Sequence, residues 1–347
     1  MSSPLLPAHT AVILLNYNNA DDTIACLRSL YTLDQAPGAV IVVDNHSTDN
    51  SCAAILQTWR QWAAPVLIVP GGPSAAENAV LIQMPANNGF SAGNNAGIRL
   101  ALRHNDCNAI WILNNDTEVQ PDALGQLCAC LNAQPEAGLA GSTLVYAHDR
   151  NIVQCAGGFS INKYCGTTPA ICGHMPLKNA LQQPVATTTR QICYLCGASM
   201  LIRREVFDHI GQFREDYFLY YEDAEFCLRA QKAGFKLAWA PLSIVYHKEG
   251  SSTGAETTVS DRGFSRPTWV DYLALRNRIY MMRKHYPWAL PIVLLSYLGV
   301  MLNRIRRSQA DRVPLVCRAA WDGLCGHMGK PDHLFSFLRD KHENSGH

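Results

Sequence analysis

The sequence predicts an α/β fold organised around a mostly parallel, Rossmann-like sheet. Apolar runs that stop abruptly at Asp or Asn recur through the first third of the chain, and each is followed by a stretch with helical spacing. Strands alternating with helices of this length build parallel sheets, whose binding groups gather at the carboxyl ends of the strands.

AVILLNY (11–17) is a continuous apolar run, as expected of a parallel strand buried on both faces. Asp21 and Asp22 stand where a helix begins, and TIACLRSLYTL carries apolar residues at helical intervals. AVIVVDN (39–45) is the second strand, followed by the capped helix HSTDNSCAAILQTWRQW. VLIQMPANNGF and SAGNNAGIRLALRHN repeat strand, turn and helix, as do AIWILNND (109–116) and PDALGQLCACLNA. After Ala140 the rhythm changes. Residues 141–195 are rich in Gly, Thr, Cys and Pro and predict a long excursion with short strands. ASMLIRREVFDHIG returns to strand and helix, DAEFCLRAQKAG is a strong helix ending at Gly234, and FKLAWAPLSIVYH reads as strand pieces.

With 347 residues and 48% apolar composition the chain can bury a large core. A net charge of +1 argues against general nucleic-acid binding, yet nine Lys/Arg and a single acid, Asp311, fall between Arg276 and Arg318. That excess suits an anionic membrane face or substrate. WALPIVLLSYLGVML (288–302) is too short to cross a bilayer and reads as an interfacial or partner-binding helix, or as a core helix with a basic end. The start of the chain lacks the pattern of a secretory leader, so its thirteen cysteines are expected to stay reduced. Cys155, Cys165, Cys172, Cys193 and Cys196 crowd one region beside His174, and Cys193/Cys196 has the C-x-x-C spacing of a structural zinc site. No second close pair accompanies it, and buried free thiols are the expectation.

Four strand ends offer polar groups. Asn16-Tyr17-Asn18 places an aromatic face beside amides, suited to stacking on a nucleobase or to a simple turn. Asp44-Asn45, with Ser47 and Asp49, offers an acceptor for an imide N–H, or a helix cap. NNGFSAGNNAG (87–97) has glycines at G-x3-G-x3-G and is no dinucleotide fingerprint, but its small residues and amides can approach a diphosphate or ribose. Asn114-Asn115-Asp116 puts hard oxygen ligands at the mouth of the sheet, as magnesium or manganese requires, while Thr117, Glu118 and Pro121 supply a helix start without Asp116. Further on, Glu222-Asp223 opens a helix, as a cap or as the base that deprotonates a sugar hydroxyl. His247 follows an apolar strand ahead of a Gly/Ser loop that would close over phosphates.

In this order the pieces VILLNYN, VIVVDNHSTDNS, NNGFSAGNNAGI, WILNNDTEV, LCGASMLIRREVF, FLYYEDAEFCLRAQKAGFK and VYHKEGSSTG resemble the family 2 glycosyltransferases of the GT-A fold. The resemblance covers roughly residues 10–255, extends loosely through LRNRIYMMRKHYP, and looks closest to bacterial rhamnosyltransferases of surface-polysaccharide synthesis. It implies that Tyr17 stacks on the base and Asp44 binds it, with Asn16, Asn18, Asn45, Asn88, Gly89, Asn94, Asn114, Asn115 and Gly197 lining the nucleotide-sugar pocket. Asp116 at the DXD position and His247 would contact Mg2+ or Mn2+, and Asp223, beside Glu222, would be the base of an inverting displacement. The first two positions of that DXD are both Asn here, which leaves Asp116 nearly alone. The implied donor is dTDP- or UDP-linked, with rhamnose the leading sugar. The implied acceptor is a glycan or lipid-linked glycan at the cytoplasmic face of the inner membrane, with the enzyme cytoplasmic and peripheral. The expected organisation is a GT-A domain over 1–255, with a nucleotide half (10–120) and an acceptor half (121–255), then a helical basic extension over 256–347. The rival readings are a sugar nucleotidyltransferase, which would carry a Gly-rich Arg/Lys loop where NYNNADD stands, and a non-catalytic nucleotide- or glycan-binding module.

Overall fold

The computed structural model describes residues 4–69, 78–248, 267–332 and 334. Strand β1 (Thr10–Asn16) leads to α1 (Ala20–Leu30), β2 (Ala39–Asp44) to α2 (Ser51–Trp59), and the short β3 (Val66–Ile68) and β4 (Ala79–Gln83) to α3 (Phe90–Ala101). β5 (Ala109–Asn114) completes five parallel strands in the order β3-β4-β2-β1-β5. Residues 117–119 differ from the expected helix start. They form β6 (Thr117–Val119), an antiparallel edge strand, and α4 begins only at Ala123 (Ala123–Ala133). The β-branched Thr117 and Val119 suit that strand, and Pro121 stands between the two elements.

β7 (Ala137–Tyr146) opens the second half, and the excursion holds β8 (Val153–Ala156), β9 (Gly158–Phe159), α5 (Leu177–Ala180), α6 (Val185–Gln191) and β10 (Tyr194–Leu195). β11 (Ser199–Arg203) then enters the main sheet between β5 and β7, antiparallel to both. α7 (Arg204–Ile210) and α8 (Glu222–Lys232) follow, and β12 (Lys236–His247) pairs parallel with β7. The expected strand pieces of FKLAWAPLSIVYH are thus one strand, with a register shift between Ala240 and Ile244. The last described elements are α9 (Thr268–His285), α10 (Leu290–Arg306) and α11 (Val313–Cys325).

The core lies on both faces of the sheet, because successive side chains of a strand alternate. Val12 and Leu14 of β1 join Leu27, Trp59, Trp111 and Leu124 on one face. Ile13 joins Ile98, Ile112, Phe226 and Trp239 on the other. Each fully buried large aliphatic chain contributes roughly 1.5–3 kcal/mol. The G-x3-G-x3-G spacing belongs partly to this packing. A Cβ on Gly93 would lie 2.2 Å from Leu15 Cδ1, and one on Gly97 2.8 Å from Ile13 Cγ2, so these two glycines let α3 approach β1.

Candidate functional site

The carboxyl ends of β1, β2, β4 and β5 open into a cavity of about 970 Å³, closed on the far side by β8–β10, the loop before α8, and α9. On the first wall, Tyr17 and Asn45 line the space together with Asn87 and Gly89. Asn45 Nδ2 donates to Asn87 Oδ1 at 3.0 Å and to the Gly89 carbonyl at 3.2 Å. Its buried Oδ1 has no donor among the described residues and remains an available acceptor.

At the centre, β5 and β12 bring Asp116 and His247 together. His247 Nε2 lies 3.2 Å from Asp116 Oδ1, and both side chains are buried. Burial alone would raise the Asp116 carboxyl, but His247 and then Lys248 outweigh it and hold the group below the usual carboxylate range. The other imidazole nitrogen, Nδ1, meets Gln154 Oε1 at 2.8 Å. With Nδ1 donating to that amide oxygen, Nε2 is left as the atom that faces Asp116 and Asn114. Lys248 pairs with Asp22 at the rim of α1.

Facing them, Glu222 and Asp223 open α8. Asp223 Oδ2 accepts from the Gly197 amide at 3.2 Å and Oδ1 from the Ala224 amide at 2.8 Å. Burial pushes this carboxyl up to about 6 despite those amides. Glu222 is raised well above the usual range by burial and by the neighbouring Asp223, and its Oε2 has no donor among the described residues. The loop that delivers the pair is strained. Phe218, Tyr220 and Tyr221 have φ of 67°, 72° and 69°, the left-handed region that bulky residues avoid. Such conformations cost about 1–3 kcal/mol each and persist where surrounding structure fixes them.

The cavity thus brings together a first wall of Tyr17, Asn45, Asn87 and Gly89, a central acid–imidazole pair and a raised carboxyl opposite. The sequence profile of the family described as "Glycosyltransferase like family 2" matches residues 7–263. The chain belongs to that family. Among curated proteins, it is 25% identical over 318 residues to the N-acetylglucosaminyl-diphospho-decaprenol L-rhamnosyltransferase of Mycobacterium tuberculosis, covering 88% of this chain and 97% of the relative. It is 24% identical over 264 residues to the dTDP-rhamnosyl transferase RfbF of Shigella flexneri, covering 73% and 81%. Among solved structures, the mannosyltransferase PcManGT of Pyrobaculum calidifontis, in complex with GDP-Man and Mn2+, superposes with a TM-score of 0.51 at 16% identity, covering 91% and 87%. The enzyme is a glycosyltransferase with the GT-A architecture, a mixed and mostly parallel sheet flanked by helices, with a helical C-terminal region.

Of the residues singled out in the sequence, Tyr17, Asn45, Gly89, Asn114, Asn115, Asp116, Gly197, Glu222, Asp223 and His247 line one cavity. Five do not. Asp44 is fully buried, and its carboxylate is occupied by the Ser47 hydroxyl at 2.6 Å, the Ser47 amide at 3.1 Å and Asn16 Nδ2 at 2.8 Å. Asn16 is equally buried and also accepts from Thr23 Oγ1. Asn18 is exposed and ties the first turn to Thr48. Asn88 is exposed while its neighbour Asn87 faces the cavity. Asn94 is buried inside α3, donating to the Phe90 carbonyl. In this structure Asn16 and Asp44 hold the turn at Ser47, and Asp44 does not cap α2, which begins at Ser51.

Gln154, Tyr194, Trp269 and Lys330 line the cavity without having been singled out, since none lies at an apolar strand end with a recognisable spacing, and Asn87, the first residue of the stretch 87–97, joins them. The Gly/Ser loop after His247 lies outside the described residues. No disulfide joins the cysteines, and Cys196 turns its thiol to Cys155, whose hydrogen bond lowers it against the effect of burial. No group of three or more His, Cys, Asp or Glu among the described residues forms a metal cage. Asp116 and His247 nonetheless fit a divalent cation that takes its remaining ligands from a diphosphate. Their facing atoms lie 3.2 Å apart, and with Gln154 holding the Nδ1 proton, loss of the Nε2 proton to solvent would turn the Nε2–Asp116 contact into a pair of ligand atoms.

Proposed function

We propose that this glycosyltransferase moves rhamnose, with inversion, from dTDP-rhamnose to a hydroxyl of a lipid-linked glycan during cell-surface polysaccharide synthesis. The observation that carries the reading is the raised carboxyl of Asp223 across one cavity from Asp116 and His247, in a chain of this family. The two rhamnosyltransferase relatives support the sugar, and the decaprenol-linked acceptor named for the mycobacterial one supports the acceptor.

Residues 10–120 would take the nucleotide, with Tyr17 stacking on the base and Asn45 Oδ1 accepting its imide N–H. Residues 121–255 would take the acceptor, with the extension beyond them closing the site. Asp116 and His247 would hold Mg2+ or Mn2+. A bound divalent cation supplies positive charge to the departing diphosphate. Asp223 Oδ receives the proton of the acceptor hydroxyl as its oxygen attacks the anomeric carbon, and the bond to the diphosphate breaks with its electron pair. Glu222, held neutral, adds no second negative charge beside the base. Phe218, Tyr220 and Tyr221 exclude water from the sugar.

The same reading makes the enzyme a peripheral protein of the cytoplasmic membrane face. Helix α10 buries Val293 and Tyr297 but exposes Ile292, Leu295, Leu298, Leu302 and Ile305 along one side, with Arg306 and Arg307 at its end. Against the expectation drawn from 288–302, the helical segment runs from Pro287 to Arg306 and, at 20 residues and mean hydropathy 1.5, is long and apolar enough to cross a bilayer by length and composition. Its polar contacts to α9, Ser296 and Tyr297 to Arg278, favour a helix lying in the interface.

Nucleotide release from dTDP-rhamnose, UDP-sugars and GDP-sugars, with and without Mg2+ or Mn2+, tests the reading. Release from dTDP-rhamnose in the presence of a lipid-linked acceptor is the expected result. Release only from a UDP- or GDP-sugar overturns the donor assignment, and nucleotide binding without release from any donor overturns the enzyme reading.

A further inference from the structure

We infer that Asn277, on helix α9 of the C-terminal extension, is a positioning residue that clamps the strained loop carrying the catalytic carboxylate. The inference rests on the reading of Asp223 as the acceptor base.

Asn277 is fully buried. Its Nδ2 donates to three carbonyls of one loop, those of Tyr217 at 3.0 Å, Leu219 at 2.9 Å and Tyr220 at 2.9 Å. An amide nitrogen has two protons, so the three carbonyls share them in a forked arrangement that only a converging loop can offer. Its Oδ1 is fixed in turn by Arg276 Nε at 2.9 Å. Arg276 is itself buried, and its guanidinium reaches the Tyr217 carbonyl at 3.2 Å and the Gly329 carbonyl at 2.8 Å. Two adjacent side chains of α9 thus hold the backbone over 217–220.

Beyond the 3-10 turn that ends at Tyr217 this backbone has no regular structure, and Phe218, Tyr220 and the following Tyr221 lie in the left-handed region before Glu222. Removing the Asn277 amide takes a donor from the half-buried Leu219 and Tyr220 carbonyls, while the Tyr217 carbonyl keeps Arg276 and the Leu219 amide, and the loop is freer to relax toward ordinary angles. Relaxation carries the start of α8 with it, and with that the direction of the Asp223 carboxylate. The other end of the loop is tied to the donor side, because the Phe218 carbonyl accepts the Phe90 amide at 2.7 Å. Helix α9 therefore fixes the spacing between the donor loop and the base.

The variants Asn277→Ala and Asn277→Ser remove all or part of the donor pair, and Tyr297→Phe is the structural control. Tyr297, on α10, donates to the Leu275 carbonyl of α9 at 2.6 Å, and its hydrogen bonds run to Leu275 and Arg278 rather than to the carbonyls at 217, 219 and 220. A misplaced base costs on the order of 100-fold in rate, so Asn277→Ala is expected to lower kcat by about 10- to 100-fold, with Asn277→Ser intermediate. Nucleotide affinity is expected to hold. The acid limb of the kcat/KM profile should move to lower pH, because a loosened Asp223 gains water. Glu222, Tyr194, Cys196 and Cys227 also face that carboxyl and are untouched by the substitution. Tyr297→Phe is expected to lower Tm and leave kcat and the acid limb in place. Should Asn277→Ala fail to fold, Asn277→Ser carries the test. A folded Asn277 variant with wild-type kcat and an unmoved acid limb overturns the inference. Absence of turnover in the wild-type enzyme with every donor instead overturns the proposed function.

Discussion

The carbonyl oxygen of Phe218 occupies the space beside Gly89, where a Cβ would lie 2.2 Å from it. Gly89 has φ 94° and ψ 179°, a conformation open essentially to glycine alone. The first wall of the cavity and the loop before the base therefore meet backbone to backbone. Gly89→Ala is expected to lower stability by roughly 1–3 kcal/mol from backbone strain alone and to weaken donor binding as the loops part. Thermal melting together with dTDP titration checks it. Unchanged Tm and affinity would show that the contact opens without cost.

The raised carboxyl of Asp223 sets the pH dependence. A base works only when ionised, so kcat/KM should fall as pH drops through about 6 and level off above it. Asp223→Asn should lower kcat by about 10²- to 10⁴-fold and leave dTDP affinity intact. A profile flat between pH 5 and 8 (~, spanning the expected inflection) would remove Asp223 from the proton transfer.

The parallel half of the fold and the placement of Asp116 and His247 were legible because apolar runs that end in polar residues are strongly patterned, and Asp223 was legible as one of a pair of acids opening a helix. The direction of β11 was not, since ASMLIRR reads the same whether it pairs parallel or antiparallel with β5. Asp44 looked like a ligand because a strand-end acid is ambiguous until the Ser47 turn that consumes it is seen. Gln154 lies in an excursion without periodicity, so nothing marked it as the partner of His247. The loop at Phe218, Tyr220 and Tyr221 defied residue preference outright. Its conformation is imposed by Arg276 and Asn277, more than fifty residues downstream.

Asp223 also weighs against stability. Its folded value of about 6 exceeds the ordinary 3.8, so the folded state holds the proton more tightly. The associated stability is fully present below the unfolded value and is lost as pH rises through about 6. At pH ~8 the cost is at most about 3 kcal/mol, from about 1.4 kcal/mol per unit. Asp223→Asn should therefore melt higher than the wild type at that pH, with the gap closing toward pH ~5. A variant that melts lower at both would show that the carboxylate contributes to the fold.

Gln154 is expected to govern metal affinity without touching the ion. Gln154→Leu removes the acceptor that holds His247 Nδ1, and loss of such a partner typically costs 10- to 100-fold (~) in affinity. Asp116→Asn should cost more, because two asparagines precede it and no other carboxylate shares that strand end. Mn2+ titration in the presence of dTDP, followed by the Mn2+ spectroscopic signal, reads this directly. Wild-type Mn2+ affinity in Gln154→Leu would detach the amide from the site, and full activity in chelator would remove the metal from the reaction.

The exposed side of α10 gives the membrane reading a sharp test. Leu295 and Leu298 are 64% and 53% exposed, each unpartnered on its outer face, and stand one turn apart. Burying such a side chain in lipid is worth roughly 1.5–3 kcal/mol, so Leu295→Glu with Leu298→Glu should lower partitioning onto anionic vesicles by at least about 100-fold. Replacing Arg306 and Arg307 with Ser should cost about 1 kcal/mol for each charge, and salt should weaken wild-type binding but not abolish it. Turnover with a water-soluble acceptor should survive all four changes, because none of these residues lines the cavity. Cosedimentation of the double Glu variant at the wild-type level would sink the docking face. Resistance of the wild type to alkaline extraction would instead mean that the segment Pro287–Arg306 leaves the body of the protein and spans the bilayer.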